Sequence, residues 1–320
     1  MHREQKGESD MANQAAQGQA LPAKQKNKIK KGAADTVQQL IIYAIVLLFA
    51  LVCILPFILV VIVSFTEEKS ITMNGYSFMP AQWSTSAYRM LFSPNSSVPR
   101  AYYVTGMATI AGTIVATIIT FGAGYTLANK QCRYRNGLSL YFYIPMVFSA
   151  GLVPWYMVSK AIGAYDNMAA LIIPSLLFSP FNMFLVRNFV RGIPDELNES
   201  ARIDGAGEVR TAFSIYLPLC LPVMATVGLF YAIGYWNNYF NAVMLINDKK
   251  YFSLQMLLFK IQSELTAMQH LAVGTSNTTS PPKESFKMAT SVVTMGPIIL
   301  LYPFLQKYFV KGMVVGAVKG

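Results

Sequence analysis

Six long apolar runs, separated by shorter polar and basic segments, dominate the chain. They lie at about 40–65, 103–128, 138–158, 169–187, 218–235 and 288–306. A helix rising 1.5 Å per residue needs about 20 apolar residues to cross the hydrocarbon core of a bilayer, and each run is near or above that length. The pattern therefore predicts six transmembrane helices and an all-α, polytopic membrane protein. Trimmed of their flanks, the six cores contain no Asp, Glu, Lys, Arg or His. Proton relays and ion-coupled sites need ionisable groups at membrane depth, so their absence counts against that chemistry.

Composition agrees with the pattern: 54% of the 320 residues are hydrophobic and only 13% are charged, too apolar for a soluble domain of this size. The net charge of +11 would suit nucleic acid if it were concentrated on one face, but the basic residues cluster at the ends of the apolar runs. With the N-terminus inside, segments 1–39, 129–137, 187–217 and 307–320 hold 17 of the 26 Lys and Arg. That asymmetry is a topology signal, and it predicts cytoplasmic N- and C-termini with no role for nucleic acid. The first run follows the basic stretch Lys24, Lys26, Lys28, Lys30 and Lys31 and is too long for the apolar region of a signal peptide. No small-residue cleavage site follows Phe65, so it is expected to remain as the first span.

Residues 1–39 are polar, rich in Gln, Ala and Lys, and read as a disordered cytoplasmic tail resting on anionic lipid; 40–320 is the membrane domain. The second run interleaves Gly106, Gly112, Gly122 and Gly124 with Thr105, Thr109, Thr113, Thr117 and Thr120. Such small residues suit close helix contact in lipid and would equally suit a polar path. Prolines within or beside the runs, including Pro56, Pro145, Pro154, Pro174, Pro180, Pro222 and Pro297, predict kinked spans. Segments 66–102 and 236–287 are long enough to meet an external partner without being domains. Cys53, Cys132 and Cys220 are far apart and have no His at ligand spacing, so neither a disulfide framework nor a metal site is expected.

Charge returns between the fourth and fifth runs, in the loop 191–217. Pro194 and Asp195 suit a helix opening, so a short helix is expected from about 194 to 203. Gly205 then allows a tight turn, and a second short helix runs from about 207 to 215 before Pro218 begins the next span. In this loop Glu199, Ser200, Ala201, Gly205, Ile215, Leu217 and Pro218 stand at the spacing Glu-Ala-Ala, three residues, Gly, nine residues, Ile-x-Leu-Pro, with Ser200 in place of the first Ala.

This loop resembles the signature of the permease subunits of binding-protein-dependent ABC importers. The words Ile193-Pro194 and Ala201-Arg202-Ile203-Asp204-Gly205-Ala206 are similar to carbohydrate-importer permeases of the maltose type. Tyr302-Pro303-Phe304-Leu305-Gln306-Lys307 through Gly312 is similar to the subgroup linked to oligosaccharides derived from polysaccharides.

The resemblance implies a type I ABC importer permease fold in the bacterial inner membrane, imported carbohydrate as substrate, and a loop that couples to a separate ATPase. In it Glu199, Ser200, Ala201, Arg202, Asp204, Gly205, Ala206, Leu217 and Pro218 form the coupling element; Glu199 meets the ATPase and Ile203, Ala206 and Leu217 pack the knob. It further implies a second, homologous permease in a heterodimer, two ATPase subunits that carry the ATP and Mg, and an extracytoplasmic solute-binding protein contacted by residues 245–285. This chain has no phosphate-binding loop and is expected to be a transport subunit without a cofactor or catalytic residue of its own.

Sugar contact calls for aromatic faces with amide and hydroxyl groups, which places Tyr235, Trp236, Asn237, Asn238 and Asn241, beside Tyr239, on the candidate substrate path. An interfacial aromatic belt accounts for the same Trp and Tyr. The competing class is an ion-coupled secondary sugar carrier, against which the charge-free cores and the coupling loop both count.

Overall fold

The computed structural model describes residues 33–94, 96–272 and 284–299. The expected tail up to residue 32, the polar stretch near 274–282, the far end of the sixth run and the C-terminal motif lie outside them. All regular structure among the described residues is helical apart from one isolated antiparallel bridge, Thr66 to Trp83. The chain divides into two units at Pro56, inside its first helix, α1 (Ala33–Ser64). In the first unit the helix is nearly all apolar and side chains such as Leu48 and Phe49 are exposed, a composition that only lipid or another apolar surface can solvate.

The second unit is organised on α4 (Val98–Ala128), whose 31 residues span about 46 Å at 1.5 Å per residue. Before it come two short helices, α2 (Glu68–Asn74) and α3 (Ser86–Leu91). Glycine decides how closely α4 is approached. A Cβ on Gly112 would lie 2.5 Å from the ring of Tyr235, and one on Gly124 would lie 2.8 Å from Val186, whereas Gly106 and Gly122 face open space. Two of the four glycines thus serve packing inside this chain. Phe121, Tyr125, Val186, Val190, Tyr216, Val227, Tyr231 and Tyr235 close the core around the same helix.

The kinks expected from proline are full breaks in the third and fourth spans. The third, 138–158, consists of α5 (Arg135–Val147) and α6 (Leu152–Ala161), bent by 119°. Pro145 withdraws a donor from the last turn of α5, and Gly151, at φ +83°, takes a conformation open mainly to glycine. The fourth, 169–187, consists of α7 (Met168–Ile172) and α8 (Pro180–Val190), joined by a non-helical stretch in which Ser175 has φ +65°. Asn167 caps α7 and Ser179 caps α8, so the break has its own start and stop signals.

A short helix α9 (Glu196–Ile203) follows, then α10 (Glu208–Leu219), which includes a π-helical turn from Thr211 to Tyr216. The fifth expected span, 218–235, starts later, as α11 (Leu221–Trp236), bent by 86° from α10. Two described helices, Val37–Ser64 and Val98–Ala128, are long and apolar enough to cross a membrane, and four spans result if each of the two bent pairs counts as one.

The segment read as an external loop, 236–287, contains helices α12 (Phe240–Leu245) and α13 (Leu254–Ala272), and a last described helix, α14, covers 284–299. They gather at the N-terminal end of α4, where Leu91, Val98, Ala101, Leu254 and Ala289 form a second core. Glu68 caps α14 by accepting hydrogen bonds from the amides of Glu284 and Ser285 and from the Ser285 hydroxyl. Tyr76 donates to the Glu284 carboxylate at 2.6 Å, and this bond, with burial and the nearby acids, pushes its phenol up to about 12.

Candidate functional site

The helix pair α9–α10 sits at the C-terminal end of α4. Glu196 and Glu199 occupy the first turn of α9 and Arg202 the last, which matches the helix dipole at both ends. The helix closes on Gly205 at φ +75°, with Ala206 N donating to Ala201 O (2.8 Å) and Gly205 N to Arg202 O (2.9 Å). These two bonds satisfy carbonyls that a helix end otherwise leaves open, and they require the left-handed residue that glycine supplies.

Two ion pairs hold the pair in place. Asp195 meets Lys130, and Arg202 meets Glu208 across the turn. Glu208 also accepts from Tyr125 Oη (3.3 Å) and Asn129 Nδ2 (3.2 Å), tying α10 to the end of α4. The π-helical turn brings Tyr216 edge-on to Tyr125, with centroids 5.2 Å apart. A π turn stores a local irregularity in a helix and recurs at functional sites.

Of the nine residues assigned to this element from sequence, only Ala201 is buried; Ala206 and Leu217 are half-buried, Leu217 against the main core. Glu199, Ser200, Arg202, Asp204, Gly205 and Pro218 are exposed. Ile203 does not pack the knob as expected: it is 87% exposed, and Val209 beside it is 73% exposed. The hairpin thus exposes two aliphatic side chains, Ile203 and Val209, in a segment rich in charge and joined to the rest of the unit by an ion pair.

The aromatic and amide cluster makes hydrogen bonds across the fold. Tyr235 Oη donates to Ile172 O (3.1 Å), Asn238 Nδ2 to Leu171 O (3.0 Å) and Asn241 Nδ2 to Pro174 O (2.7 Å). These are the carbonyls that the break after α7 leaves without helical partners, and in lipid such groups must be satisfied by protein. Trp236 donates to Thr294 O (3.2 Å), while the exposed Asn237 donates to Ile233 O (3.0 Å) and accepts from Gln255. Tyr235, Asn238 and Asn241 thus help to hold the broken helix.

That break opens a cavity of about 410 Å³ lined by Ser175, Ser179, Phe181, Asn182, Phe230 and Tyr231. Asn182 is only 5% exposed, and its side-chain amide has no hydrogen-bond partner among the described residues. Tyr231 bonds Thr120 (2.6 Å) and receives Ser179 N (2.9 Å), which fixes its ring on the wall. The cavity has hydroxyl, amide and aromatic groups and no charge. Sequence reasoning missed it, although Pro174 and Pro180, six residues apart in an apolar run, were the signal that a non-helical segment lay between them. Among the described residues, no group of three or more His, Cys, Asp or Glu side chains is placed to hold a metal.

An all-helical, apolar unit with broken helices at its core and a charged hairpin at one end has the make-up of a membrane permease. Residues 118–315 match the model of the family described as binding-protein-dependent transport system inner membrane component, and the chain belongs to that family. Its members are multi-pass inner-membrane permeases of ABC importers, without a cofactor of their own, that work with an ATPase and a solute-binding protein.

Among relatives, the chain is 37% identical to the polygalacturonan/rhamnogalacturonan transport system permease protein YtcP of Bacillus subtilis, over 88% of this chain and 98% of the relative. It is 30% identical to the melibiose/raffinose/stachyose import permease protein MelC of the same organism, over 66% of this chain and 73% of the relative. The fold superposes on a chain of a bacterial ABC transporter involved in import of the acidic polysaccharide alginate, with TM-score 0.76 and 28% identity, covering 87% of this chain and 98% of that one.

Proposed function

We propose that this chain carries an oligosaccharide through the membrane as one half of a permease heterodimer, driven through α9–α10 by a pair of ATPase subunits. The single observation that carries the reading is the hairpin tip: Ile203 and Val209 are bare, with Glu199 and Asp204 exposed around them, in a segment otherwise fastened by two ion pairs and a glycine turn. Rigid attachment to α4 lets a force applied at the tip reach the membrane core, through Glu208 to Tyr125 and Asn129 and through Tyr216 to the main core. The two states must differ in affinity for the ATPase, which supplies the direction.

Six crossings, with both termini on the hairpin side, complete the proposal: the bent α5–α6 and α10–α11 pairs and the broken α7–α8 pair each count as one, and α14 continues into the sixth run. The oligosaccharide reading draws support from the relatives, whose names cite galacturonan-derived and raffinose-type sugars. Within this chain, the uncharged cavity of Ser175, Ser179, Asn182 and Tyr231 is the proposed place of sugar contact. Its chemistry suits hydroxyl groups against an aromatic face. Tyr235, Asn238 and Asn241 brace the broken helix beside that cavity by holding the carbonyls of Ile172, Leu171 and Pro174. A complete importer reconstituted with Glu199→Lys tests the coupling role: ATP hydrolysis continues at the basal rate, and sugar-stimulated hydrolysis and uptake are both lost. Unchanged uptake would end the assignment.

A further inference from the structure

A group of arginines lies beside the hairpin. Arg187 stands on the last turn of α8, Arg191 caps that helix one turn further on, and Arg135 opens α5. Among the described residues the ion pairs are Lys130–Asp195, Arg202–Glu208 and Lys250–Asp248, so none of these three guanidiniums is ion-paired. Arg187 rests on the Phe184 ring, its cation 5.6 Å from the centroid, and its Nε is buried without a hydrogen-bond partner. Arg135 and Arg191 line a cavity of about 580 Å³ that Lys130 also borders.

Topology alone explains basic residues at this end of the protein, but it leaves them free to reach water. It does not explain arginines gathered at one place with a donor turned inward on one of them. Gathered arginines with unused donors fit a tetrahedral oxyanion, which accepts several N–H groups at once. The surroundings give that anion a tail. Helix α5 rises from Arg135 with no buried residue and exposes Leu138, Leu140, Tyr141 and Ile144, and Phe181 is bare on α8. A charged head at the arginines has apolar surface above it.

We propose that Arg135, Arg187 and Arg191 form a binding site for the phosphate of an anionic membrane lipid at the hairpin end of α5 and α8. Basic pockets between transmembrane helices bind such headgroups, and a lipid seated here lies against the same cavity that Asp195 and Glu199 border. Lipid charge would thereby reach the base of the hairpin. The inference uses the membrane location of the family and not the identity of the sugar.

The test uses the assembled importer in phosphatidylcholine nanodiscs with and without phosphatidylglycerol, with native mass spectrometry counting the phosphatidylglycerol retained. Each basic residue facing an anionic lipid contributes on the order of fivefold, so R135Q/R187Q/R191Q loses retention by on the order of a hundredfold. The double change R135Q/R191Q, which spares the partly buried Arg187, loses on the order of thirtyfold if the triple variant does not assemble. Arg133→Gln, on a nearby exposed arginine, keeps the lipid. Equal retention in all variants overturns the proposal. So does displacement of the lipid by millimolar inorganic phosphate, which would mark a free-anion site. Loss of the ATPase subunits with lipid retention unchanged would make the cluster a protein dock and overturns it equally.

Discussion

Gly112 offers the sharpest test of how α4 packs. An alanine there would place its Cβ 2.5 Å from Cζ of Tyr235 and 2.7 Å from both Cε atoms. The ring cannot swing aside freely, because it is 3% exposed and its hydroxyl is held by Ile172 O at 3.1 Å. Restoring ordinary carbon contact requires a shift of about 1 Å. Overpacking of this kind costs about 1–3 kcal/mol, and stretching the interhelical hydrogen bond adds about 1 kcal/mol. Alanine also gains up to about 1 kcal/mol over glycine in a helix, so the comparison to make is with Gly106→Ala, which takes the same gain and meets nothing within 4 Å. The two variants should differ by about 2–4 kcal/mol, on the order of 3–6 °C in melting temperature for a chain of this size. Melting of the purified importer in mild detergent reads the difference. Adding Tyr235→Ala to Gly112→Ala should leave the alanine without further cost, because the obstacle is gone. Equal melting of Gly112→Ala and Gly106→Ala would refute the packing account of this helix.

The two amide groups near the helix break should separate cleanly. Asn182→Ala is expected to raise the sugar concentration needed for half-maximal uptake while leaving melting within about 0.5 kcal/mol, since no hydrogen bond is lost. Asn241→Ala should lower stability by about 1–2 kcal/mol, because it strips Pro174 O of its partner in a buried position; a melting temperature equal to wild type would contradict the role given to it. At the hairpin, Gly205→Pro cannot adopt φ +75° and removes the amide that closes α9, so uptake should fail in protein that still inserts and assembles. Normal uptake by that variant would show that the turn does not transmit force.

Much of the hairpin was legible because its determinants are local. Pro194 and Asp195 open α9, Gly205 closes it, and the spacing to Ile215, Leu217 and Pro218 survives as a short helix, a turn and a second helix. The role of Ile203 was misread, because apolar character predicts burial without saying whose surface provides it. The spans show the same limit. Prolines announced kinks, but the angle of 119° after α5 depends on Gly151 taking a positive φ in its tertiary setting, which no periodicity records. The amides of Asn238 and Asn241 looked like ligand groups for a similar reason: the carbonyls they satisfy, Leu171 and Pro174, lie 67 residues away in the chain. Asn182 was passed over because a single amide in an apolar run gives no signal until the break around it is seen.

The central claim, that this chain moves sugar only as one of two membrane subunits of an ATP-driven assembly, is tested by uptake into proteoliposomes. The chain would be reconstituted with its partner permease, ATPase and solute-binding protein, and oligosaccharide accumulation measured with each omitted in turn. The account predicts accumulation that needs ATP and stops when any one component is left out; accumulation by this chain alone, driven by an ion gradient without ATP, would contradict it.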